Sequence, residues 1–425
     1  MTDKKSTPPD LFGFDMTELS GILADVNEKS QKLVKTFVEK QHQSSGIDQA
    51  GAAAVGKSFQ ELTAKLMADP SKLFDSQMNY WQNYWGLLQK SSLQLLGVVP
   101  AEEQEERPDK RFRHEAWSTN PMFNFIKESY LLTSKAIRKA VEDIQGLDDK
   151  TRQKVEFYTS QYLDAIAPSN FLGTNPELLQ LTMESRGENL LNGLKNLLED
   201  LDRGPCQLQI QMTDMDAFEV GKDLAITPGK VIFQNDLIEL IQYAPTTEQV
   251  HDRPLMIIPP WINKYYILDL RPQNSMVKWM VEQGYSVFMI SWANPVVAHQ
   301  DKGFEVYLLE GTVAALTEIE RATGQREVNA IGYCMGGTLL ACTAAYLTAK
   351  GEGDRIHSTT YMASLIDFSD PGDIGVFLDE DQIAAFEEKM NEQGYLDGCA
   401  MSNSFSMLRA NDLVWAYVIN NYLKG

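Results

Sequence analysis

The chain has 425 residues, of which 43 % are apolar and 23 % charged. At roughly 100–200 residues per domain this is a globular chain with room for two to four domains, and full disorder, a collagen repeat or a coiled coil is excluded. Lys and Arg number 38 against 59 Asp and Glu, a formal charge of −21. A surface this anionic repels phosphate backbones, which argues against nucleic acid as a partner.

The N-terminus, MTDKKSTPPDLFGFDM, carries two lysines with no apolar stretch behind them, so it is not a secretory signal. Residues 1–104 read as a helical N-terminal region, with a small, flexible segment from Gly46 to Gly56. Apolar residues at three and four spacing predict helices over Ser58–Asp69 and Ser71–Leu96, separated by Pro70. In the second helix Met78, Trp81, Trp85, Leu88 and Leu95 share one face. That face is expected to pack on the rest of the protein. A surface that adsorbs to a partner or a hydrophobic body is the sharper alternative.

Ala101–Arg113 is a charge cluster containing a proline and reads as a linker. Three helices are expected next, over Pro121–Ile144, Lys150–Ala165 and Pro176–Leu201. Asn175 is placed to cap the third, and Pro176 suits its first turn because a missing N–H costs nothing there.

Near residue 206 the apolar period changes to that of strands. Cys206–Met212, Val231–Phe233 and Leu237–Tyr243 are expected strands, the last two around an Asn235–Asp236 turn. From residue 254 strands and helices alternate: Leu255–Ile258, helix Asn274–Gln283, Tyr285–Ser291, helix Phe304–Ala322, Val328–Gly332, helix Gly336–Lys350 and strand Thr359–Ile366. Apolar strands alternating with helices predict a parallel sheet covered on both faces.

No apolar run reaches the ~18 residues of a membrane span. The four cysteines, Cys206, Cys334, Cys342 and Cys399, form no CxxC pair, and the five histidines are scattered. A disulfide framework and a metal site are therefore not expected, and a reducing cytoplasm is the natural compartment.

Val328–Leu340 reads VNAIGYCMGGTLL and contains Gly332-x-Cys334-x-Gly336 between a strand and a helix. This is the nucleophile-elbow pattern with Cys in place of Ser. A sharp strand-to-helix turn needs small residues beside the nucleophile, which Gly332, Gly336 and Gly337 supply. Cys334 would then stand near the positive end of a helix, which favours thiolate. The Met335 N–H is one candidate arm of an oxyanion hole. The second comes from the loop after an earlier strand, here Pro259–Tyr266, where Trp261, Ile262, Asn263 and Tyr265 are candidates to line the site. Cys342, at apolar spacing in the following helix, reads as a small core residue.

These strings resemble a known family. PPWINKYYILDLRPQNS, SWANP, GYCMGGTLL, APSNF with TNPELL, and QYAPTTEQV are similar to the poly(3-hydroxyalkanoate) synthases of class I, from about Arg111 onward. The resemblance implies an α/β-hydrolase core with a cap. With the pattern along the chain, the expected division is a helical N-terminal region 1–104, a helical synthase domain 105–225, the core 226–368, and the start of a cap 369–425. The resemblance also implies an acyltransferase that polymerises (R)-3-hydroxyacyl-CoA into a polyester with release of CoA, through an acyl intermediate on Cys334. No cofactor is implied beyond the CoA of the substrate. The partners implied are the acyl-CoA and the growing polyester chain or its granule surface in the cytoplasm, and a homodimer stays open.

The acid and histidine of such a site follow the nucleophile in the chain. After Cys334 the only histidine is His357, ahead of its strand and so at the wrong end of the sheet, while Asp367 falls at the correct end. The expectation is that this polypeptide is an N-terminal portion of a synthase, lacking the triad acid and histidine and the C-terminal part of the core. A Cys-dependent hydrolase on the same fold and a non-catalytic, granule-binding remnant stay open as alternatives.

Overall fold

The structure, a computed structural model, describes residues 46–68, 70–96, 98, 109–203, 210–396 and 398–425. The described chain forms two compact units. One comprises the described residues up to Thr213 together with Asp373–Ala385 and Met401–Gly425; the other is Asp214–Gly372 with Phe386–Ala400.

The first unit is helical. Helices α1 (Gly46–Ala68) and α2 (Pro70–Leu95) are followed by α3 (Pro121–Glu142), α4 (Asp149–Ala165), α5 (Pro176–Glu184) and α6 (Glu188–Arg203). α1 begins at Gly46, so the Gly46–Gly56 segment is helix rather than a flexible joint; its alanines favour that state. Asn175 caps α5 through hydrogen bonds from the Glu177 and Leu178 N–H groups, as its sequence context predicts. The single helix expected over Pro176–Leu201 is two, because Arg186 and Gly187 adopt positive φ of 53° and 87° and turn the chain between them.

The aromatic face of α2 does not pack as expected. Trp81 and Trp85 are 52 % and 59 % exposed, and Met78 and Phe74 are exposed beside them. The helix is held to α3 from its other side: Tyr84 meets Phe125 edge-on at 6.3 Å, and the Tyr80 hydroxyl bonds the Thr133 hydroxyl.

The strand expected over Cys206–Met212 falls partly outside the described residues. Cys206–Gln209 lies outside the described residues, and Ile210–Met212 is irregular. The Gln211 N–H there bonds the Asp200 carboxylate, so its donor is committed to a side chain and not to a ladder.

The second unit holds a six-stranded sheet, β1 (Gly229–Gln234), β2 (Ile238–Tyr243), β3 (Leu255–Ile258), β4 (Val287–Trp292), β5 (Val328–Tyr333) and β6 (Ile356–Met362). The order across the sheet is β1-β2-β4-β3-β5-β6. β3, β4, β5 and β6 are parallel, while β2 runs antiparallel to both β1 and β4, so the sheet is mixed. Asn235 closes the β1–β2 hairpin, its side chain accepting from the N–H groups of Leu237 and Ile238. Helices α7 (Met276–Glu282), α8 (Ala314–Thr323) and α9 (Met335–Ala349) connect the strands.

Two apolar cores cover the faces of the sheet. Met256 and Ile258 of β3 lie with Phe288, Ile290, Leu316, Ile319, Leu339 and Leu340. Leu255 and Ile257 lie with Val277, Val281, Val287 and Met289 on the other. This is the period-two alternation of a strand buried on both sides. β6 is the exception: its middle residues are exposed. The α/β-hydrolase arrangement expected from the sequence is present, with the elbow after β5.

Candidate active site

Cys334 joins β5 to α9 and is half-buried. Its backbone sits at φ 54°, ψ −125°, a region that side chains with a Cβ rarely occupy. The strain is held from two directions. The Cys334 N–H donates to the Met362 carbonyl on β6, and the Cys334 carbonyl accepts the Gly337 N–H, both at 2.9 Å. The turn thereby lifts the thiol from the end of β5 and sets it before the first turn of α9.

The three glycines are required by contact. A Cβ on Gly332 would collide with the Gly337 backbone, and one on Gly336 with the carbonyls of Ile258 and Pro259. A Cβ on Gly337 would collide with the Ser364 side chain. Met335 supplies the first backbone N–H of α9, next to the thiol. On the other side, Pro259 and Pro260 carry no N–H, so Trp261 is the first residue after β3 with a backbone donor.

Trp261 packs on the first core, its ring 6.0 Å from Trp292 and 5.3 Å from Tyr307. Asn263 is exposed and turns the loop, its N–H donating to Pro260 and its side chain accepting from Lys264 N–H. Ile262 is half-buried beside it. Tyr265 packs against the second core, across the sheet from the Trp261 ring. Burial and the Asp269 carboxylate push its hydroxyl pKa up. Of the four loop residues named from sequence, Trp261 and Tyr265 therefore pack on opposite faces.

Several neighbours of the elbow escaped the sequence reading. Ala363 adopts φ 47° after β6. Ser364 follows, its hydroxyl donating to Gly332 and Met362 carbonyls at 3.2 and 3.1 Å. Thr338 on α9 donates to the Leu365 carbonyl at 2.7 Å. Positive φ at an alanine carries no composition signal, so only the structure reveals this brace. Trp292, one residue beyond the strand expected over Tyr285–Ser291, ends β4 and donates to the Pro259 carbonyl.

His357 lies in β6 beside Glu327, at the N-terminal end of the strand, and Cys334 follows the C-terminal end of β5. Among the described residues no histidine is hydrogen-bonded to Cys334. Asp367 is exposed beyond β6, and the hydrogen bonds from Ser369 hold its carboxyl below the usual range. Cys342 is exposed, not in the core. The buried side of α9 runs through Leu339, Leu340, Thr343 and Leu347, and Cys342 falls off it.

Residues 108–280 match the family model described as the N-terminus of poly-beta-hydroxybutyrate polymerase (PhaC). A poly(3-hydroxyalkanoate) polymerase of Methylorubrum extorquens is 50 % identical over 384 residues, covering 89 % of this chain and 63 % of the relative. The polymerase subunit PhaC of Rhizobium etli is 47 % identical, over 87 % of this chain and 59 % of its own. That of Cupriavidus necator is 39 % identical, over 92 % and 65 %. The chain thus spans less than two thirds of the length of these relatives. Over 87–92 % of its own residues the chain is similar to these poly(3-hydroxyalkanoate) polymerases.

Proposed function

We infer that this chain carries the acylation half of a polyester-forming acyltransferase, with Cys334 as nucleophile and a 3-hydroxyacyl-CoA as substrate. The observation that carries the reading is the strained backbone of Cys334 between β5 and α9, fixed by three glycines that admit no side chain. The thiolate attacks the thioester carbonyl, a C–S bond to Cys334 forms, and the bond to CoA sulfur breaks. CoA leaves as a thiolate and takes up a proton. During attack the carbonyl oxygen becomes an oxyanion, for which the Met335 and Trp261 N–H groups are the candidate donors.

A thioester on Cys334 keeps the acyl group activated. The hydroxyl of a second acyl unit can then take it, forming an ester and returning the thiolate. That step needs a base to accept the hydroxyl proton, and no described residue is assigned to it. The reading extends to a growing polyester as product, in keeping with the polymerase names of the relatives, and to its granule surface in the cytoplasm as place of work, as the sequence resemblance implies. No described helix is long and apolar enough to cross a membrane.

Incubation of the purified chain with (R)-3-hydroxybutyryl-CoA tests this reading. Release of CoA with ester-linked oligomers supports it. Release with free 3-hydroxybutyrate alone points instead to a hydrolase on the same fold. No release, with binding to polyester particles, favours a non-catalytic role, for which the exposed aromatic face of α2 is the supporting observation.

A further inference from the structure

We propose that Trp292 is the positioning residue for the oxyanion arm after β3, and that Gly311 seats its indole. This rests on the acyl-Cys334 reading, since an oxyanion arm has work only if a carbonyl is attacked. Pro259 and Pro260 cannot donate, so the arm depends on where the Trp261 N–H points. That direction is set by the peptide planes before it.

The carbonyl of Pro259 is gripped from two sides. The Trp292 Nε1–H donates to it at 2.8 Å in a buried hydrogen bond. On the other side lies Gly336 of α9, where a Cβ would fall 2.8 Å from the same oxygen. The peptide two residues ahead of the donor is thus clasped between the elbow helix and the end of β4.

The indole is itself held. Trp292 is the last residue of β4 and is 9 % exposed. Its ring edge rests on Gly311, where a Cβ would lie 2.5 Å from Cη2 and 2.7 Å from Cζ3. Gly311 belongs to a π-helical stretch, Tyr307–Val313, between Phe304–Val306 and α8. A π-turn is rare beside the regular helix and is frequently found at functional sites. Here it delivers a bare backbone to the ring. Tyr307, from the same stretch, stacks at 5.5 Å from Trp292 and 5.3 Å from Trp261. Simple aromatic packing would need the rings but not the indole N–H.

Two variants of the full chain, Trp292→Phe and Gly311→Ala, separate positioning from packing. Each is tested with two reagents and one exchange measurement. Acylation of Cys334 by (R)-3-hydroxybutyryl-CoA is followed by intact mass. Alkylation by iodoacetamide is followed in parallel, because displacement at a saturated carbon develops no oxyanion. The proposal expects acylation about 10- to 100-fold slower in both variants, with alkylation unchanged. It also expects faster amide exchange across Trp261–Leu268.

Unchanged acylation together with unchanged loop exchange overturns the proposal. So does a parallel fall in acylation and alkylation, which would mean general damage to the elbow. If the unsubstituted chain is not acylated at all, the thioester reading fails, and the exchange comparison alone decides the role of Trp292. If Trp292→Phe does not fold, Gly311→Ala carries the test, since it keeps the indole N–H and displaces only the ring.

Discussion

Gly336 lies directly against the backbone of Ile258, so close that a methyl group on its Cα would fall 2.0 Å from the Ile258 carbonyl oxygen. The elbow helix and the strand that precedes the oxyanion loop are therefore in backbone contact, and one hydrogen atom separates them. Gly336→Ala must force α9 away from β3. Overpacking of this kind costs about 1–3 kcal/mol, and more where the neighbour is backbone. Thermal unfolding should show at least about 2 kcal/mol of destabilisation by that principle. Residual folded protein should lose thioester reactivity at Cys334 far beyond that loss.

Gly193 makes an equally close approach in the helical unit. It faces the Tyr422 backbone, and a Cβ there would overlap the Tyr422 carbonyl. The 418–424 segment is fastened to α6 around this point. Asn189 and Asn196 side chains donate to the carbonyls of Leu423 and Asn421, and the Tyr422 hydroxyl donates to Asp200. In an isolated helix Gly→Ala gains about 1 kcal/mol. Here the clash should outweigh that gain. Gly193→Ala should expose the 410–425 region to limited proteolysis, while Asn192→Ala at the neighbouring position should not.

The exposed rings of α2 give a prediction of the opposite kind. Trp81→Ser with Trp85→Ser removes large, exposed side chains, of which Trp81 meets Tyr80 and Tyr84 of its own helix edge-on. Stability should change by no more than about 0.5 kcal/mol per substitution. Tyr84→Ala, by contrast, removes a half-buried ring packed on Phe125 and should cost about 1–3 kcal/mol. Chemical denaturation of the variants side by side checks the ranking.

Tyr243 is buried in β2, and burial followed by the nearby Asp269 carboxylate pushes its hydroxyl pKa well up. The folded state thus holds the neutral form. The unfolded tyrosine ionises near 10. The sign follows: the contribution is fully present below about pH 10 and is lost as pH rises above it, because only the unfolded chain releases the proton readily. Stability should fall by up to about 1.4 kcal/mol per pH unit from this one group. Tyr243→Phe should flatten that alkaline slope and leave the acid limb unchanged, which denaturation at stepped pH values reads directly.

Much of the sheet unit was legible because its signals are local and periodic. Leu255–Ile258 is apolar at every position and is buried on both faces. Cys334 between two glycines announced a turn that only a strand-to-helix junction requires. The misreadings have physical causes too. The face of Trp81 and Trp85 has helical period, but period says nothing about what lies opposite. Arg186 and Gly187 break a helix whose apolar spacing continues on either side, so the pattern hides the joint. The parallel sheet is mixed because β2 reverses through the Asn235 turn to pair with β4, a long-range choice no single strand encodes. The brace at Ala363 and Ser364 and the Trp292 bond to Pro259 arise from tertiary contact alone. Tyr265 has the composition of a pocket residue, yet the short helical turn it begins carries it to the other core.

The central claim is that Cys334 forms a thioester with the acyl group. Intact-mass analysis after brief exposure to (R)-3-hydroxybutyryl-CoA tests it most directly. The account predicts one added acyl group on the unsubstituted chain, removed by hydroxylamine, and none on Cys334→Ala, with Cys342→Ala labelled as fully as the parent. An acyl adduct retained by Cys334→Ala would contradict it.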